Sequence, residues 1–252
     1  MSRYWPPLIS FVLVTGLVEL ATALGWVNSA LVPPPHQVLK ALNDQQDDFI
    51  LAFEQTALAT LSGYLAAAVL GFAAAVVFSL VGWLRRAVLP FAIFFQTVPI
   101  IAVAPLLVIY FGFGWRTVVA ASCVVAIFPV LANSLLGLES VDPGYLELLR
   151  VYRASPWQTL WKVRLPAAYP SIYAGLKVAA GLSVIGCVAG EFVAGGGLGA
   201  IIDSARTQQR IDMVFAALLL LSALGLSLIA GIRLFNRLLN RYRPYGLHLK
   251  DD

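Results

Sequence analysis

The chain has 252 residues, of which 60% are hydrophobic and only 12% are charged. Soluble domains contain about 45–50% apolar residues, so this composition excludes an ordinary soluble protein. The net charge of +4 suits a basic face on anionic lipid and requires no nucleic acid as a partner. Both cysteines, Cys123 and Cys187, lie in apolar runs, which argues against a disulfide framework.

The apolar residues form long continuous runs, which predict an all-α polytopic membrane protein with a single transmembrane domain over residues 1–252. Four runs contain no charge and reach the ~20 residues that a spanning helix needs. Two more predict spans despite Glu19 in one and Lys177 near the cytoplasmic end of the other. The six predicted spans are residues 8–26, 55–84, 87–115, 117–138, 171–192 and 213–232.

The connections between these spans are short, apart from two. Residues 31–54 read as an external loop with a short surface helix, and Arg85 and Arg86 predict a tight inner turn. The segment FGFGW at 111–115 predicts a tight outer turn. Prolines inside the third and fourth spans should kink those helices, and they are Pro99, Pro105 and Pro129.

The distribution of basic residues predicts the orientation in the membrane. With the N-terminus inside, the inner segments hold all Lys and Arg except Lys40, Arg116, Arg206 and Arg210. The positive-inside rule then predicts a multi-pass membrane protein with both termini cytoplasmic. It also places the long connection 139–170 on the cytoplasmic side.

That connection is charged and rich in proline within an otherwise apolar chain. Asp142 and Pro143 are typical of a helix start and predict a short helix over about 143–152. Ser155 and Pro156 repeat the signal, so a second short helix should run to about Leu165 and stop before Pro166. Its apolar residues recur at helical spacing and predict one apolar face, formed by Trp157, Leu160, Trp161 and Leu165. Two interpretations remain open on these residues alone: a docking surface, or a connection lying on lipid headgroups.

Several ordered motifs in the chain resemble those of a known family. Glu147-Leu148-Leu149, Ala154-Ser155 and the segment LPAA at 165–168 are similar to the EAA signature of bacterial ABC-importer permeases. The segments QTVPIIAVAPLLVIYFGFG at 96–114 and GEFVAGGGL at 190–198 resemble the nitrate, sulfonate and taurine type of these permeases. The resemblance covers nearly all of the chain from Pro33 onward.

The resemblance implies a translocation subunit that works with other chains. In a bacterial inner membrane we expect a second permease subunit, which is a second copy of this chain or a close relative, with a homodimer preferred. We also expect two ATP-binding subunits and an external solute-binding protein. No cofactor is expected on this chain, because ATP and Mg would bind the partner ATPase. The transported solute would be a small anion such as nitrate, bicarbonate, taurine or another sulfonate, or a vitamin-related pyrimidine or riboflavin. The residues expected to couple to the ATPase are Glu147, Arg153, Ala154, Ser155, Trp157, Trp161, Leu165 and Pro166.

The chain departs from the family pattern in two places. Leu148 and Leu149 replace two alanines, and Arg153 stands where a glycine is expected between the short helices. Arginine must keep a negative φ there or accept about 1 kcal/mol of strain. We therefore expect a different turn, with Arg153 free to contact an acidic edge of the ATPase.

The motifs of an enzyme are missing. Glycines at 195, 196, 197 and 199 resemble a phosphate loop, but no Lys-Ser or Lys-Thr follows, so we expect a tight turn or close helix contact instead. His36 and His248 are far apart, and no catalytic or metal-ligand spacing occurs. The alternative function is an ATP-independent secondary transporter or channel, which would leave the 139–170 connection without a role.

Polar residues inside spans are the candidates for the substrate pathway. Gln96 and Thr97, beside Pro99, are the preferred lining residues, followed by Asn133, Ser183 and Glu191. We expect Glu191 to be a partly solvated carboxylate at an outer helix end, and Glu19 to bond between helices. Gly186 and Gly190 form a G-x-x-x-G motif that favours close helix packing, and a subunit interface is one place for it. No basic residue is expected in the middle of a span, so charge does not select an anion as the solute.

Overall fold

The computed structural model describes residues 5–241, apart from the side chains of residues 7, 8, 11, 240 and 241. Every regular element in this part of the chain is helical. In chain order the elements are α1 (Trp5–Ala23), α2 (Pro35–Asp44), α3 (Gln46–Leu80), α4 (Gly82–Thr97), α5 (Ile100–Phe111), α6 (Trp115–Glu139), α7 (Pro143–Val151), α8 (Pro156–Thr159), a π-helical turn (Leu160–Arg164), α9 (Leu165–Ala194), α10 (Gly197–Thr207) and α11 (Ile211–Arg241).

The centre of the bundle is the packing of α6 against α3 and α9. Small residues allow the backbones to approach closely: a Cβ added at Gly63 of α3 would lie 2.5 Å from the Ser122 side chain of α6. A Cβ added at Gly175 of α9 would lie 2.9 Å from the carbonyl oxygen of Pro129 of α6. Without a hydrophobic driving force between helices in lipid, such close packing is what holds spanning helices together.

The bundle has two distinct ends, which serve as reference points below. At the projection end, Arg85 near the start of α4 pairs with Glu139 at the end of α6. At the glycine end, the Gly114 backbone N–H donates to the Ala194 carbonyl oxygen at 3.1 Å, which joins the loops 112–114 and 195–196. Helices α3, α6, α9 and α11 connect these two ends.

Four helices are long and apolar enough to cross a membrane in the described part of the chain: α3, α6, the continuous segment Pro156–Ala194, and α11. A fifth crossing comes from α4 and α5, which pass the same test together but are bent by 107° at their junction. Because α4 begins at the projection end and α5 finishes at the glycine end, this pair is a broken span rather than a re-entrant loop.

The break in the α4–α5 span corrects the predicted single helix over 87–115. Val98 is extended, with φ −76° and ψ 123°, and Pro99 precedes the first residue of α5. Proline disfavours helical geometry in the residue before it and cannot donate its own backbone hydrogen bond. Pro105 and Pro129 stay inside their helices, so the kinking effect is concentrated at Pro99.

The remaining connections differ from the predictions in smaller ways. The turn expected at Arg85 and Arg86 is at Val81, and both arginines lie in the first turns of α4. Helix α2 is the predicted surface helix, but α3 already begins at Gln46, so the loop is shorter than predicted. The 111–115 segment forms the predicted tight turn through Gly112 and Gly114, both at positive φ.

Helix α1 corresponds to the first predicted span, although its described apolar stretch, Val12–Ala23, is shorter than a full crossing. It contacts α2 through a hydrogen bond between Glu19 Oε1 and His36 Nδ1, which lie 2.6 Å apart. The interhelical bond expected of Glu19 is therefore present. Arg3, Arg243, His248 and Lys250, which entered the sequence predictions, lie outside the described residues.

Candidate functional site

The segment between α6 and α9 forms a two-helix projection, here residues 142–165, at the projection end of the bundle. Asp142 caps α7 as predicted: its Oδ1 accepts from the Gly144 N–H at 2.7 Å, and Pro143 occupies the first helical position. Ser155 caps α8 with a reciprocal capping box, in which its Oγ accepts from Gln158 N–H at 3.2 Å and its own N–H donates to Gln158 Oε1 at 2.8 Å.

The turn between α7 and α8 keeps the shape that glycine would allow, contrary to the expected difference. Arg153 lies in the left-handed region with φ 53°. Its N–H donates to the Arg150 carbonyl and the Ala154 N–H donates to the Leu149 carbonyl, each at 2.9 Å. This pair of bonds is the Schellman motif with Arg153 at its left-handed position. Arginine thus accepts about 1 kcal/mol of backbone strain rather than changing the turn.

The second short helix does not stop before Pro166, so that prediction was wrong. Helix α8 passes through the π-helical turn 160–164 and continues as α9 to Ala194. The Leu165 N–H donates to the Leu160 carbonyl five residues back, which widens the helix immediately before Pro166. A proline ring needs this extra room because it clashes with the carbonyl of the preceding turn. Residues 156–194, from the second short helix to the end of α9, consequently form one continuous rod.

The apolar side chains of the second helix are divided between two surroundings, rather than forming the single predicted face. Leu160 is only 2% exposed and packs in a core cluster with Leu138 and Ala168, and Leu165 packs against the same cluster. Trp157 and Trp161 are 58% and 60% exposed. The wide turn shifts the helical register, so the leucines anchor the projection and the tryptophans point away from the bundle.

The projection presents an uncovered apolar surface with charges around it. Tyr145 and Leu148 of α7 and the cap residue Tyr152 that follows it are exposed, keep helical spacing and share one face. Together with Trp157 and Trp161 they define the projection surface. Exposed charged side chains border it, and these are Glu147, Arg150, Arg153 and Lys162.

The projection is fastened to the bundle by polar contacts as well as by Leu160. Arg164 Nη1 donates to the Ser79 carbonyl oxygen near the end of α3 at 3.1 Å. A cavity of about 230 Å³ remains between the projection and α3, with Leu146, Ala154 and Pro156 in its lining. Because of these contacts, a movement of the projection would also move the adjoining ends of α3 and α9.

At the glycine end, three helices meet around a buried carboxylate. Glu191 of α9 is 2% exposed. Its Oε1 accepts from Thr56 Oγ1 of α3 at 2.7 Å, and its Oε2 accepts from the Gly199 N–H of α10 at 2.8 Å. Thr56 Oγ1 also accepts from the Leu198 N–H at 2.9 Å, and Gln55 Oε1 accepts from the Gly197 N–H at 3.0 Å. The prediction that the Glu191 carboxylate is partly solvated was therefore wrong. Glu191, Thr56, Gln55 and the first three N–H groups of α10 are here called the Glu191 cluster.

Three glycines leading into α10, Gly195 to Gly197, allow the close contacts of the Glu191 cluster. Gly195, Gly196 and Gly197 all have positive φ, which glycine adopts without steric cost. A Cβ added at Gly197 would lie 2.0 Å from Glu191 Oε1, so close approach is needed as well. The first three N–H groups of α10 are taken up by side chains of Gln55, Thr56 and Glu191, which leaves no phosphate cradle there.

The predicted pathway residues do not gather at one place. Gln96 and Thr97 are exposed at the break between α4 and α5, where Thr97 Oγ1 donates to its own helix at Phe94 O. Asn133 Nδ2 donates to the Pro129 carbonyl, and buried Ser183 accepts at its carbonyl oxygen from Ser122 Oγ at 3.0 Å. Asn133, Ser183 and Glu191 thus bond within the bundle, while Gln96 and Thr97 face outward from it.

Gly186 and Gly190 pack against α6 of the same chain. A Cβ at Gly186 would lie 2.6 Å from the Ala121 carbonyl oxygen, and one at Gly190 would lie 3.0 Å from the Val118 Cα. The motif serves packing inside the chain in this structure. Among residues 5–241, no group of three or more His, Cys, Asp or Glu side chains is placed to hold a metal ion.

Residues 67–241 match the family model described as binding-protein-dependent transport system inner membrane component. The chain belongs to this family. The permease is 31% identical over 231 residues to a probable ABC transporter permease protein of Haemophilus influenzae, a match that covers 91% of this chain and 94% of the relative. It is 32% identical to the formylaminopyrimidine transport permease of Halalkalibacterium halodurans, with 84% of this chain and 86% of the relative covered.

Other relatives share the permease description but name different solutes. The taurine transport system permease of Escherichia coli is 28% identical, with 92% of this chain and 90% of the relative covered. A solved structure described as an inward-facing conformation of the MetNI methionine ABC transporter aligns with a TM-score of 0.64 at 21% identity, covering 73% of this chain and 92% of that chain. The permease therefore has the fold of an ABC-importer membrane subunit.

Proposed function

We propose that this permease is the translocation subunit of an ATP-driven importer and that the projection surface docks on an ATP-binding subunit. The observation that carries the proposal is an exposed apolar surface held rigidly at one end of a membrane bundle. Apolar patches rimmed by polar residues are typical of protein interfaces. A connection lying loosely on lipid would need neither the two capped helices nor the anchors at Leu160 and Arg164.

The continuous rod explains how ATP hydrolysis on a partner would move this chain. Residues 156–194 form one helical segment, so a force applied at Trp157 reaches Glu191 without crossing a flexible loop. The Glu191 cluster then transfers that motion to α3 and α10. ATP and Mg bind the partner, and closure of the partner's subunits supplies the energy that shifts the permease between inward and outward access.

The broken span supports a solute pathway between two permease copies. The backbone at Val98 and Pro99 leaves helical geometry, and Gln96 and Thr97 are exposed beside it. Irregular backbone at membrane depth is tolerated only where protein covers it or where it lines a water-filled cavity. A second copy of this chain facing the break would provide that cover, so we assign Gln96 and Thr97 to the lining of a pathway in a homodimer.

The solute is delivered from outside by a binding protein and leaves at the projection end. The excess of Lys and Arg on that side supports a cytoplasmic position for the projection and both termini in a bacterial cell. Relatives named for taurine and for formylaminopyrimidine support a small anion or a vitamin-related molecule as the solute. An ATP-independent transporter or channel would leave the projection surface unused.

Co-purification tests the docking directly. The permease is co-expressed with the ATP-binding subunit of its transporter, and the amount of that subunit retained on a tagged permease is measured. Replacing Trp157 and Trp161 together by Ala, or Glu147 by Arg, should reduce retention at least tenfold. The matched control is Trp83→Ala on α4, which is 67% exposed but lies outside the projection surface. Equal retention by all variants would refute the docking assignment.

A further inference from the structure

Lys177 lies deeper in the bundle than the sequence indicates. Because α9 begins at Leu165, Lys177 lies 12 residues after its start and 17 residues before its end at Ala194. Gly137 of α6 packs against Ala168, so the projection end is level with Ala168 on α9. At 1.5 Å per residue, Lys177 is about 14 Å from that level and about 25 Å from Ala194. A hydrocarbon layer of ~30 Å centred between the Ala168 level and Ala194 would put the Lys177 backbone about 9 Å inside the inner face of that layer.

Among residues 5–241, the ammonium group of Lys177 has no acidic partner. None of the ion pairs among the described residues includes it. Its recorded neighbour is the ring of Tyr173, whose centroid is 5.2 Å from Nζ. A cation–π contact offsets only part of the cost of a buried charge. The described residues therefore supply no negative charge to pair with the Lys177 ammonium.

Lys177 is partly buried, and α9 borders open space one helical turn further along. Leu176, Ala179 and Ala180 of the same helix pack in the core, whereas Lys177 keeps part of its surface exposed. Gly181, one turn after Lys177, lines an open groove of about 380 Å³ between α9 and α11, together with Ile185, Leu218 and Gly225. Lys177 is not part of the lining of that groove but precedes it on the same helix.

The depth of Lys177 separates two possible sources of a negative charge, which are lipid headgroups and an anionic solute. A lysine side chain extends about 6 Å, so from about 9 Å inside the apolar layer the ammonium does not reach the headgroup phosphates of an undistorted bilayer. Charged side chains inside membranes face a water-filled cavity or mark an ion or substrate path. We infer that Lys177 is an anion-contacting residue of the translocation pathway, an assignment that rests on the proposed importer function. A small anionic solute supplies the missing charge as it passes.

A thiol-reactivity experiment tests the assignment without knowledge of the solute. Gly181→Cys is the reporter, because a Cβ there meets no atom within 4 Å, and Cys123 and Cys187 are replaced by Ser and Ala. The permease with its ATP-binding subunit is placed in pure phosphatidylcholine liposomes, which carry no anionic lipid. Reaction rates are measured with the anionic sulfonatoethyl and the cationic trimethylammonioethyl methanethiosulfonates.

The expected result is that the anionic reagent reacts preferentially and that Lys177→Gln lowers the ratio of anionic to cationic rate about tenfold, as one nearby unit charge in water would. Lys177→Arg, which keeps the charge, should keep the ratio. An unchanged ratio in Lys177→Gln, or a reporter that neither reagent reaches, would overturn the assignment. Retention of the ATP-binding subunit in the same samples reports separately on the proposed function.

Discussion

Thr56 of α3 and Glu191 of α9 are joined by a 2.7 Å hydrogen bond although 135 residues separate them in the chain. The threonine hydroxyl donates to the carboxylate and also accepts from the Leu198 N–H of α10. One side chain therefore links three helices at the glycine end. An unsatisfied buried polar group is costly in a low-dielectric surrounding, so this link strongly restricts how the three helices can move apart.

Thr56→Val should destabilise the permease by roughly 1–3 kcal/mol, because it keeps the shape but removes the hydroxyl that bonds both Glu191 Oε1 and the Leu198 N–H. The measurement is the apparent melting temperature of the detergent-solubilised protein. Thr207→Val is the control, since the exposed Thr207 hydroxyl donates to Ser204 O on its own helix. If both variants melt at the same temperature, the Glu191 cluster does not stabilise the fold.

Arg153→Gly should keep the turn and raise the unfolding free energy by up to about 1 kcal/mol, because glycine adopts the left-handed conformation freely. Arg153→Val should lower it, since a β-branched residue is the least tolerant of positive φ. Melting temperature reports on the strain, and co-purification of the ATP-binding subunit reports on a contact by the guanidinium. If Arg153→Gly retains the subunit fully, the arginine makes no essential contact with it.

Thr97→Cys should react with a water-soluble thiol reagent, because the break at Val98 and Pro99 is expected to line an aqueous pathway. Phe91→Cys, on the same helix and 65% exposed in the chain, should react at least tenfold more slowly if it faces lipid. Rates are measured in reconstituted membranes with both native cysteines removed. If Thr97→Cys is as unreactive as Phe91→Cys, the break at Val98 and Pro99 does not line the pathway.

The parts of the structure that depend on local chemistry were predictable from the sequence. Asp142 with Pro143, and Ser155 with Gln158, satisfy the first N–H groups of a helix within a few residues, so the start of each short helix is encoded locally. The apolar runs likewise identify the spans, because length and hydropathy alone decide whether a helix can cross a bilayer.

The features that depend on contacts between helices were not predictable. Nothing near Thr56 in the sequence marks it as the partner of Glu191, and so the carboxylate was expected to be solvated. The end of the second short helix was misplaced because a π-helical turn accommodates Pro166. A proline indicates that a helix is disturbed, but the packing around it decides whether the helix bends, as at Pro99, or continues.

Site-specific photo-crosslinking tests the docking of the projection most directly. A benzophenone amino acid is introduced in place of Tyr152 on the projection, or in place of Tyr110 on α5, which are 76% and 79% exposed. The complete transporter is illuminated, and products are identified by mass. We predict a crosslink from position 152 to the ATP-binding subunit and none to that subunit from position 110. An intact complex in which position 152 fails to crosslink to the ATP-binding subunit would contradict the account.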